Sequence, residues 1–281
     1  MPTYNTPNSL DVAIDVTVGD IEIIASDRSD TVVTVVPTNP SKEADRKGAE
    51  NTKVEFDGSR LTIVGPRPRV AVFGPNESID VKVELPTGSR LTADLSVGGL
   101  RSTGRLGATR VKGSLGAASI DATGDLWLRN SHGGIVVRAI DGTAEVTADH
   151  GQIRLGAITG DTTVKASHGS VTIESVGGEL EAKLSYGDLD VGRADASVAA
   201  KTAYGNMTLG EVGGGSIELE SGFGEVTVGV REGVAAWLDL SSKKGHVRNH
   251  LDSDAPPAAG DPSVSVRVRT QFGNITVNRA K

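Results

Sequence analysis

The chain has 281 residues, a net charge of −7 and no cysteine, which excludes a disulfide framework, a thiol nucleophile and a zinc–thiolate site. Glycine supplies 36 residues and aromatic side chains only 3%, so aliphatic side chains and threonine must fill the core, as in thin, regular β layers. The net charge is negative and the basic residues form no cluster, which argues against a nucleic-acid backbone as the main partner.

The N-terminus has no feature of a secretory leader. The stretch MPTYNTPNSLDVAIDV lacks a basic segment followed by an apolar one, and nowhere do eighteen apolar residues run together. The sequence therefore predicts no direct membrane insertion and a cytoplasmic location. An extracellular location is the alternative if a signal sequence has been removed.

Residues 1–90 are predicted to form an N-terminal β coil or cap. Apolar side chains alternate with polar ones in two short runs around a glycine, a period of two that is typical of strands. These positions are Val12, Ile14, Val16, Gly19, Ile21 and Ile23. Two segments interrupt the pattern and are predicted as insertions between strands: the polar residues 38–52, a loop or short helix, and the Pro- and Gly-rich residues 65–78.

Residues 91–250 contain a regular repeat. Six segments align on a shared glycine, with spacings of eighteen residues for four steps and nineteen for the fifth. The aligned glycines are Gly133, Gly151, Gly169, Gly187, Gly205 and Gly224. A second series lies halfway between them and consists of Gly142, Gly160, Gly178 and Gly214, with Ala196 in the remaining slot. The repeating unit is therefore nine residues, taken in pairs.

Alternating apolar residues between these glycines predict one strand in each half. Residues eighteen apart, such as Ile153, Val171 and Leu189, would then stack in parallel register about 4.8 Å apart. The predicted fold class is all-β: a single-chain β-solenoid, parallel β-helix-like or β-roll-like, with about 18 residues per coil in two nine-residue halves. Glycine is expected at each corner because a tight turn often needs a positive φ.

The end of the chain is predicted to close the solenoid. Residues 251–262 are rich in proline and are predicted as a loop. After them, SVSVRVRTQFGNITV restores the repeat around Gly273. Residues 263–281 are therefore predicted to form a final coil or C-terminal cap.

Residues with ring side chains precede the turn glycines and form the candidate interaction surface. They are His132, His150, His168, Tyr186, Tyr204 and Phe223, with Phe272 in the last coil. Histidines at this spacing could supply nitrogen ligands to a transition metal, but no carboxylate repeats beside them, so ring stacking is the favoured interpretation. The row could receive a partner protein or a sugar chain. Trp127, on the outward side of its strand, joins the candidate surface.

The charged residues do not indicate a catalytic or metal-binding site. Lys165, Lys183 and Lys201 form an outward row, which is interpreted as a solvated face interleaved with glutamate. The turns lack the paired acidic ligands of calcium-binding β-rolls. Carboxylates are scattered rather than clustered, and no Gly-x-Ser-x-Gly, P-loop or His-Glu-x-x-His motif occurs. The sequence predicts neither an enzyme nor a bound metal or cofactor.

The stretch LPTGSRLTADLSVGG, followed by recurrent S-x-G-x-[VIL]-x-[VIL] units, resembles the bacterial β-strand-repeat proteins grouped as a putative-adhesin domain of unknown function. The resemblance covers nearly the whole chain. It implies the repeated β architecture and supplies no catalytic residue.

These observations favour a non-catalytic β-solenoid scaffold or protein-interaction module whose partner is another protein. Two alternatives remain open. One is a self-assembling structural protein that forms oligomers or filaments, and the other is a secreted adhesin or carbohydrate binder.

Overall fold

The computed structural model describes residues 2–66, 77–251 and 262–280. The predicted insertion at 65–78 and the predicted loop at 251–262 lie outside the described residues, apart from their outermost positions. The chain divides into two compact units, Met1–Ala139 and Ile140–Lys281.

The first unit is built from short strands and one helix. Their bounds are β1 (Thr3–Asn5), β2 (Asp11–Val18), β3 (Ile21–Ser26), β4 (Asp30–Pro37), α1 (Glu43–Asn51), β5 (Lys53–Phe56), β6 (Arg60–Val64), β7 (Ile79–Pro86), β8 (Arg90–Val97), β9 (Leu100–Arg105), β10 (Thr109–Leu115), β11 (Ala118–Thr123), β12 (Leu126–His132) and β13 (Ile135–Ile140), whose last residue begins the second unit.

Strands of the first unit form two sheets. Sheet I has the order β5-β6-β2-β8-β10-β12, and sheet II has the order β1-β4-β7-β3-β9-β11-β13. Most pairs are parallel, but β1 and β7 pair with β4, and β5 with β6, in antiparallel fashion. The first coil of the sequence, β2 and β3, therefore lies inside the stack, between β6 and β7 on one side and β8 and β9 on the other.

Residues 38–52, predicted as a loop or short helix, contain α1, which packs on the first unit next to β4 and β7. A Cβ placed on Gly48 would lie 3.2 Å from Cγ2 of Ile79, so the helix approaches β7 closely. Asp45 is buried and fixes the helix, because its carboxylate accepts hydrogen bonds from the backbone N–H groups of Asn39 and Ser78.

Every described secondary-structure element of the second unit is a strand. They are β14 (Ala144–His150), β15 (Ile153–Ile158), β16 (Thr162–His168), β17 (Val171–Val176), β18 (Leu180–Tyr186), β19 (Leu189–Ala194), β20 (Val198–Tyr204), β21 (Met207–Val212), β22 (Gly215–Phe223), β23 (Val226–Val230), β24 (Ala235–Lys244), β25 (Val247–Asn249), β26 (Ser263–Phe272) and β27 (Ile275–Arg279).

Sheet I of the second unit has the order β14-β16-β18-β20-β22-β26-β24, and sheet II has the order β15-β17-β19-β21-β23-β27-β25. Every described pairing between these strands is parallel, and Val171 pairs with Leu189 and Leu189 with Met207, as the repeat predicts. Inward-facing aliphatic side chains form a continuous buried core between the sheets. The β-solenoid prediction is confirmed.

The C-terminal coil does not lie at the edge of the stack, where the prediction of a cap at 263–281 would put it. Strand β26 pairs with β22 on one side and β24 on the other, and β27 pairs with β23 and β25. The coil that precedes it in sequence, β24 and β25, forms the edge. Alternating side chains fit the stack at either position, so the local sequence pattern does not determine this order.

The two corners of each coil need glycine for different reasons. Gly169 and Gly187 have φ values of +137° and +143°, as predicted. A Cβ on Gly187 would also lie 2.2 Å from the carbonyl oxygen of Gly169. At the other corner the predicted positive φ is wrong for Gly160 and Gly178. There a Cβ on Gly160 would lie 2.6 Å from the carbonyl oxygen of Gly142, so close packing between coils excludes a side chain.

Candidate functional site

The second unit carries an exposed row of aromatic rings where the strands of sheet I meet the turn glycines. Each ring ends its strand, and the parallel register places Tyr186 between His168 and Tyr204. We call this set the ring row: His150, His168, Tyr186, Tyr204, Phe223 and Phe272. The positive φ of the following glycine turns the chain immediately after each ring, so the rings project from the corner and not into the core.

Rings in this row stack face to face. Successive ring centroids are 4.6 to 5.0 Å apart, and the angles between the planes are 1° to 9°. This spacing matches the roughly 4.8 Å separation of neighbouring strands, which confirms the predicted stacking. Tyr186 and Tyr204 are 49% and 45% exposed. Because neighbouring rings cover their faces, the surface of the inner rings consists of ring edges.

The stacking geometry is unsuited to a shared metal site. A metal bound by imidazole lies close to the ring plane, about 2.0–2.1 Å from the nitrogen. The rings of His150 and His168 are parallel to within 2°, with centroids 4.7 Å apart, so one ion cannot lie in both planes. Among residues 2–66, 77–251 and 262–280, no group of three potential metal-ligating side chains is close enough to hold an ion.

One flank of the ring row is a face of paired lysine and glutamate side chains. Lys165, Lys183 and Lys201 lie in register on the outward face of sheet I. The Nζ atom of Lys183 lies 2.5 Å from a carboxylate oxygen of Glu181, and the hydrogen bond and charge of Lys183 lower the pKa of that carboxyl group. All of these side chains are exposed, which agrees with the prediction of a solvated, charge-interleaved face.

The other flank is a ladder of polar side chains just after the turn glycines. The backbone N–H of Asn206 donates to a carboxylate oxygen of Asp188 at 2.7 Å, and that of Glu225 donates to the amide oxygen of Asn206 at 2.9 Å. The amide of Asn274 donates to the carboxylate of Glu225 at 2.9 Å. These bonds between coils fix the corner, so the ring row is a rigid ridge with lysines on one side and acidic and amide groups on the other.

Two predicted site residues belong to the first unit. His132 is exposed at the end of β12, where it pairs in register with Leu115. Trp127 is only half-buried, but the guanidinium of Arg110 lies 3.6 Å from its ring centroid and covers one face. This cation–π contact provides a structural role for Trp127.

Sequence reasoning missed apolar side chains that are exposed at the same corner position of the first unit. Val97 pairs with Leu115, and Leu115 is 55% exposed. Both precede a glycine with positive φ, Gly98 and Gly116, so the rule that found the rings would also have found them. Trp237, which is 60% exposed on β24, was also missed, although it alternates with the inward-facing Leu238 and therefore lies on the outward side of its strand.

A shallow groove of about 390 Å³ on the outward face of sheet I is lined by scattered acids, including Asp161, Glu179 and Glu218.

None of the described helices has the length and apolar character needed to cross a membrane.

Comparison with known proteins gives one family and several similar folds. The family model described as Toastrack DUF4097 matches residues 10–278. No curated protein sequence matches the chain.

Three crystal structures are similar over nearly the whole chain. A putative adhesin from Bacteroides fragilis is 13% identical, with coverage of 98% of this chain and 95% of that one and a TM-score of 0.36. A putative adhesin from Parabacteroides merdae is 12% identical, with coverage of 100% and 95% and a TM-score of 0.28. A putative cell adhesion protein from Clostridium sporogenes is 11% identical, with coverage of 99% and 98% and a TM-score of 0.22.

Proposed function

We propose, starting from the fact that the chain belongs to the Toastrack DUF4097 family, that it is a non-catalytic interaction module whose ring row binds another protein. The observation that supports this proposal is an exposed, rigid row of six stacked rings between two polar flanks. Exposed apolar surface of this kind, bordered by polar groups, is typical of interaction sites.

The orientation of the rings favours a protein over a sugar chain. A ligand that stacks needs a free aromatic face, and the inner rings Tyr186, Tyr204 and Phe223 have a neighbour on both faces. Ring edges carry the positive end of the aromatic quadrupole, so they prefer the faces of other aromatic side chains. A protein surface supplies these groups together with aliphatic contacts.

The rigidity of the row also suits binding. Each ring is held by its neighbours, by the turn glycine behind it and by the polar ladder beside it. Little side-chain freedom remains to be lost when a partner binds, which reduces the entropic cost of association. Exposed charges on the two flanks would orient the partner, because each attracts a group of opposite charge.

Site-specific photocrosslinking tests the proposal. Tyr204 is replaced by benzoylphenylalanine, which keeps a ring in the row, and the full chain is irradiated in native lysate. We expect a defined protein crosslink that is absent when the same probe replaces Thr208, an exposed residue on the outward face of sheet II.

A competing variant checks that the rings themselves form the contact. The triple substitution Tyr186→Ser, Tyr204→Ser and Phe223→Ser, used as a soluble competitor, should fail to reduce the crosslink, whereas the wild-type chain should reduce it. Equal competition by both chains, or the same crosslinked proteins from both probe positions, would contradict the proposal. Binding of the wild type but not the triple variant to a glycan array would favour a carbohydrate instead.

A further inference from the structure

We propose that the ring row ends in a cationic corner that binds acidic side chains of the partner protein, so that the partner presents carboxylates next to an apolar contact. The cationic corner consists of Lys243, Lys244 and Arg248, around the turn between β24 and β25. This inference rests on the proposed binding role of the ring row and adds the chemistry of the partner.

Lys244 occupies the ring-row position of the edge coil. It ends β24, precedes a glycine and pairs in register with Phe272, so it continues the row by one strand spacing of about 4.8 Å. Lys243 lies on the outward face of sheet I. Arg248 follows Val247, which pairs with the buried Ile275, so Arg248 lies on the outward face of sheet II. The three cations therefore surround the end of the row.

The cations of this corner have no carboxylate partner within the part of the chain that the structure describes. All residues from 243 to 250 are exposed. By contrast, Lys201 on sheet I pairs with Glu220. The nearest acidic residues along the chain are Asp239, which already binds arginines of β26, and Asp252. The positive charge at the corner is therefore available to an acidic group of a partner.

The ring row is most apolar next to this corner. It runs from histidines through tyrosines to Phe223 and Phe272, which are 42% and 44% exposed and stack with their centroids 4.6 Å apart. A partner segment that covers these two phenylalanines must place its neighbouring groups beside Lys244. Carboxylates at those positions would form charge-assisted hydrogen bonds with the cations.

An acidic protein segment fits this surface better than a nucleic acid or an anionic membrane. The corner is an exception to the sequence-based expectation that the basic residues form no cluster, but it is small, and the net charge of the chain is −7. Nucleic-acid backbones and anionic membranes are polyanions that bind extended basic surfaces. A few carboxylates beside an apolar side chain match both the three cations and the adjacent phenylalanines.

Peptide display against the full chain tests the chemistry of the partner without requiring its identity. A library of random peptides on phage is selected on the immobilised wild-type chain. We expect the enriched sequences to combine aspartate or glutamate with aromatic or aliphatic residues. One enriched peptide is then synthesised with a fluorescent label, and fluorescence anisotropy measures its affinity.

Removal of the charges at the corner should weaken binding of this peptide roughly tenfold, because three exposed ion pairs are lost. The corner variant carries Lys243→Ser, Lys244→Ser and Arg248→Ser. A matched control removes the same charge from exposed positions of the first unit and should keep the wild-type affinity; it carries Lys53→Ser, Arg60→Ser and Arg101→Ser. Circular dichroism checks that each variant keeps the wild-type fold.

The triple ring-row variant used above as a competitor separates this inference from the proposed function. Its affinity for the peptide should also fall. If it falls while the corner variant binds normally, the acidic-partner inference is wrong and the ring row keeps its binding role. If only the corner variant is weakened, the corner binds apart from the row and the inference is again wrong. A peptide that depends on neither set of residues would contradict both proposals.

The selected sequences themselves can also overturn the inference. Enrichment of basic or uncharged peptides, or of none, would contradict an acidic partner. So would tighter binding of the wild-type chain to single-stranded DNA or to phosphatidylserine vesicles than to the selected peptide, since either result would assign the cations to a polyanion.

Discussion

The N-terminal edge of the first unit and the C-terminal edge of the second share one feature of strand order, but the strands at the two edges differ. In both, the coil nearest the chain terminus lies inside the stack: β2 and β3 at one end of the sequence, β26 and β27 at the other. Termini fray readily unless they are held, and here each terminal coil has a parallel partner on both sides. Apart from β1, which is the outermost strand of sheet II, the edges are built from internal segments.

The difference lies in what covers the last coil. At the N-terminal edge, antiparallel strands and α1 bury the inward side chains of β7, with Ile79 only 2% exposed, whereas Val54 and Phe56 on the edge strand β5 are half-buried. At the C-terminal edge, Leu238 and Leu240 remain partly exposed. The two edges therefore differ in construction: the N-terminal edge ends in antiparallel strands beside a helix, and the C-terminal edge ends in one more parallel coil.

The largest effect is expected in the middle of the stack, away from either edge. Gly187→Ala would need a φ of +143° and would place a Cβ 2.2 Å from a carbonyl oxygen of the neighbouring coil. We expect a loss of about 3 kcal/mol or more in the free energy of unfolding. Chemical denaturation followed by circular dichroism measures it.

Gly233→Ala is the matched control for that substitution. Gly233 also has a positive φ, +77°, but no atom lies within 4 Å of its ideal Cβ position. It precedes β24 at the C-terminal edge, and only the cost of a positive φ for a residue with a side chain applies, about 1 kcal/mol. Equal losses for the two variants would show that stacking between coils is not what requires glycine in the ring-row corner.

The second prediction tests how the buried carboxylate of Asp45 stabilises the N-terminal edge. Asp45→Ala removes a buried carboxylate and leaves the N–H groups of Asn39 and Ser78 without their acceptor. We expect the free energy of unfolding to fall by about 2 kcal/mol, with increased hydrogen exchange in α1 and not in β24. Glu43→Ala removes an exposed partner of Lys47 on the same helix and should have little effect. A loss for Glu43→Ala as large as that for Asp45→Ala would contradict the assigned role.

The same carboxylate should make the N-terminal edge sensitive to acid. Burial raises the pKa of the Asp45 carboxyl, but the ion pair with Lys42 and the N–H groups of Ser78 and Asn39 outweigh it, so the pKa is lowered from its ordinary 3.8. A lowered folded-state pKa stabilises the protein above the unfolded-state value, and the stabilisation is lost as the pH falls through the folded-state value.

We therefore expect the hydrogen-exchange protection of α1 to be constant at neutral pH and to fall below about pH 4. Asp45→Asn should be less protected at neutral pH and should show a flatter pH dependence. A parallel decline in the wild type and in Asp45→Asn would attribute the acid effect to other carboxylates.

The sequence predicted the coils well because their rule is local. Eighteen-residue spacing and alternating apolar positions determined the register of residues such as Val171 and Leu189, and the stacking of the rings followed from the same spacing. Strand order at the two edges could not be predicted in this way. The alternating pattern of β26 fits beside β22 or β24 equally well, and only three-dimensional packing of the whole coil decides.

The candidate site shows the same division. The ring row was predicted from its place before the turn glycines, whereas the exposure of Trp237 was not predicted, although its alternation with Leu238 places it on the outward side of β24. The role of Trp127 also depended on a neighbour in space, Arg110, whose position seventeen residues earlier differs from the eighteen-residue spacing of the main repeat.

The smallest effect is expected for an exposed ion pair at the N-terminal edge, and it tests whether buried or surface interactions stabilise that edge. Asp30 accepts a hydrogen bond from Nε of Arg28 at 2.9 Å, and this contact lowers the pKa of its carboxyl group, but the Asp30 side chain is 43% exposed. Exposed ion pairs contribute little and are screened by salt. Asp30→Asn should shift the denaturation midpoint much less than Asp45→Ala does, and the shift should disappear at about 1 M salt, where the screening length is only about 3 Å. A shift that matches Asp45→Ala and persists in salt would show that the edge is closed by its surface charges and not by the buried contact between α1 and β7.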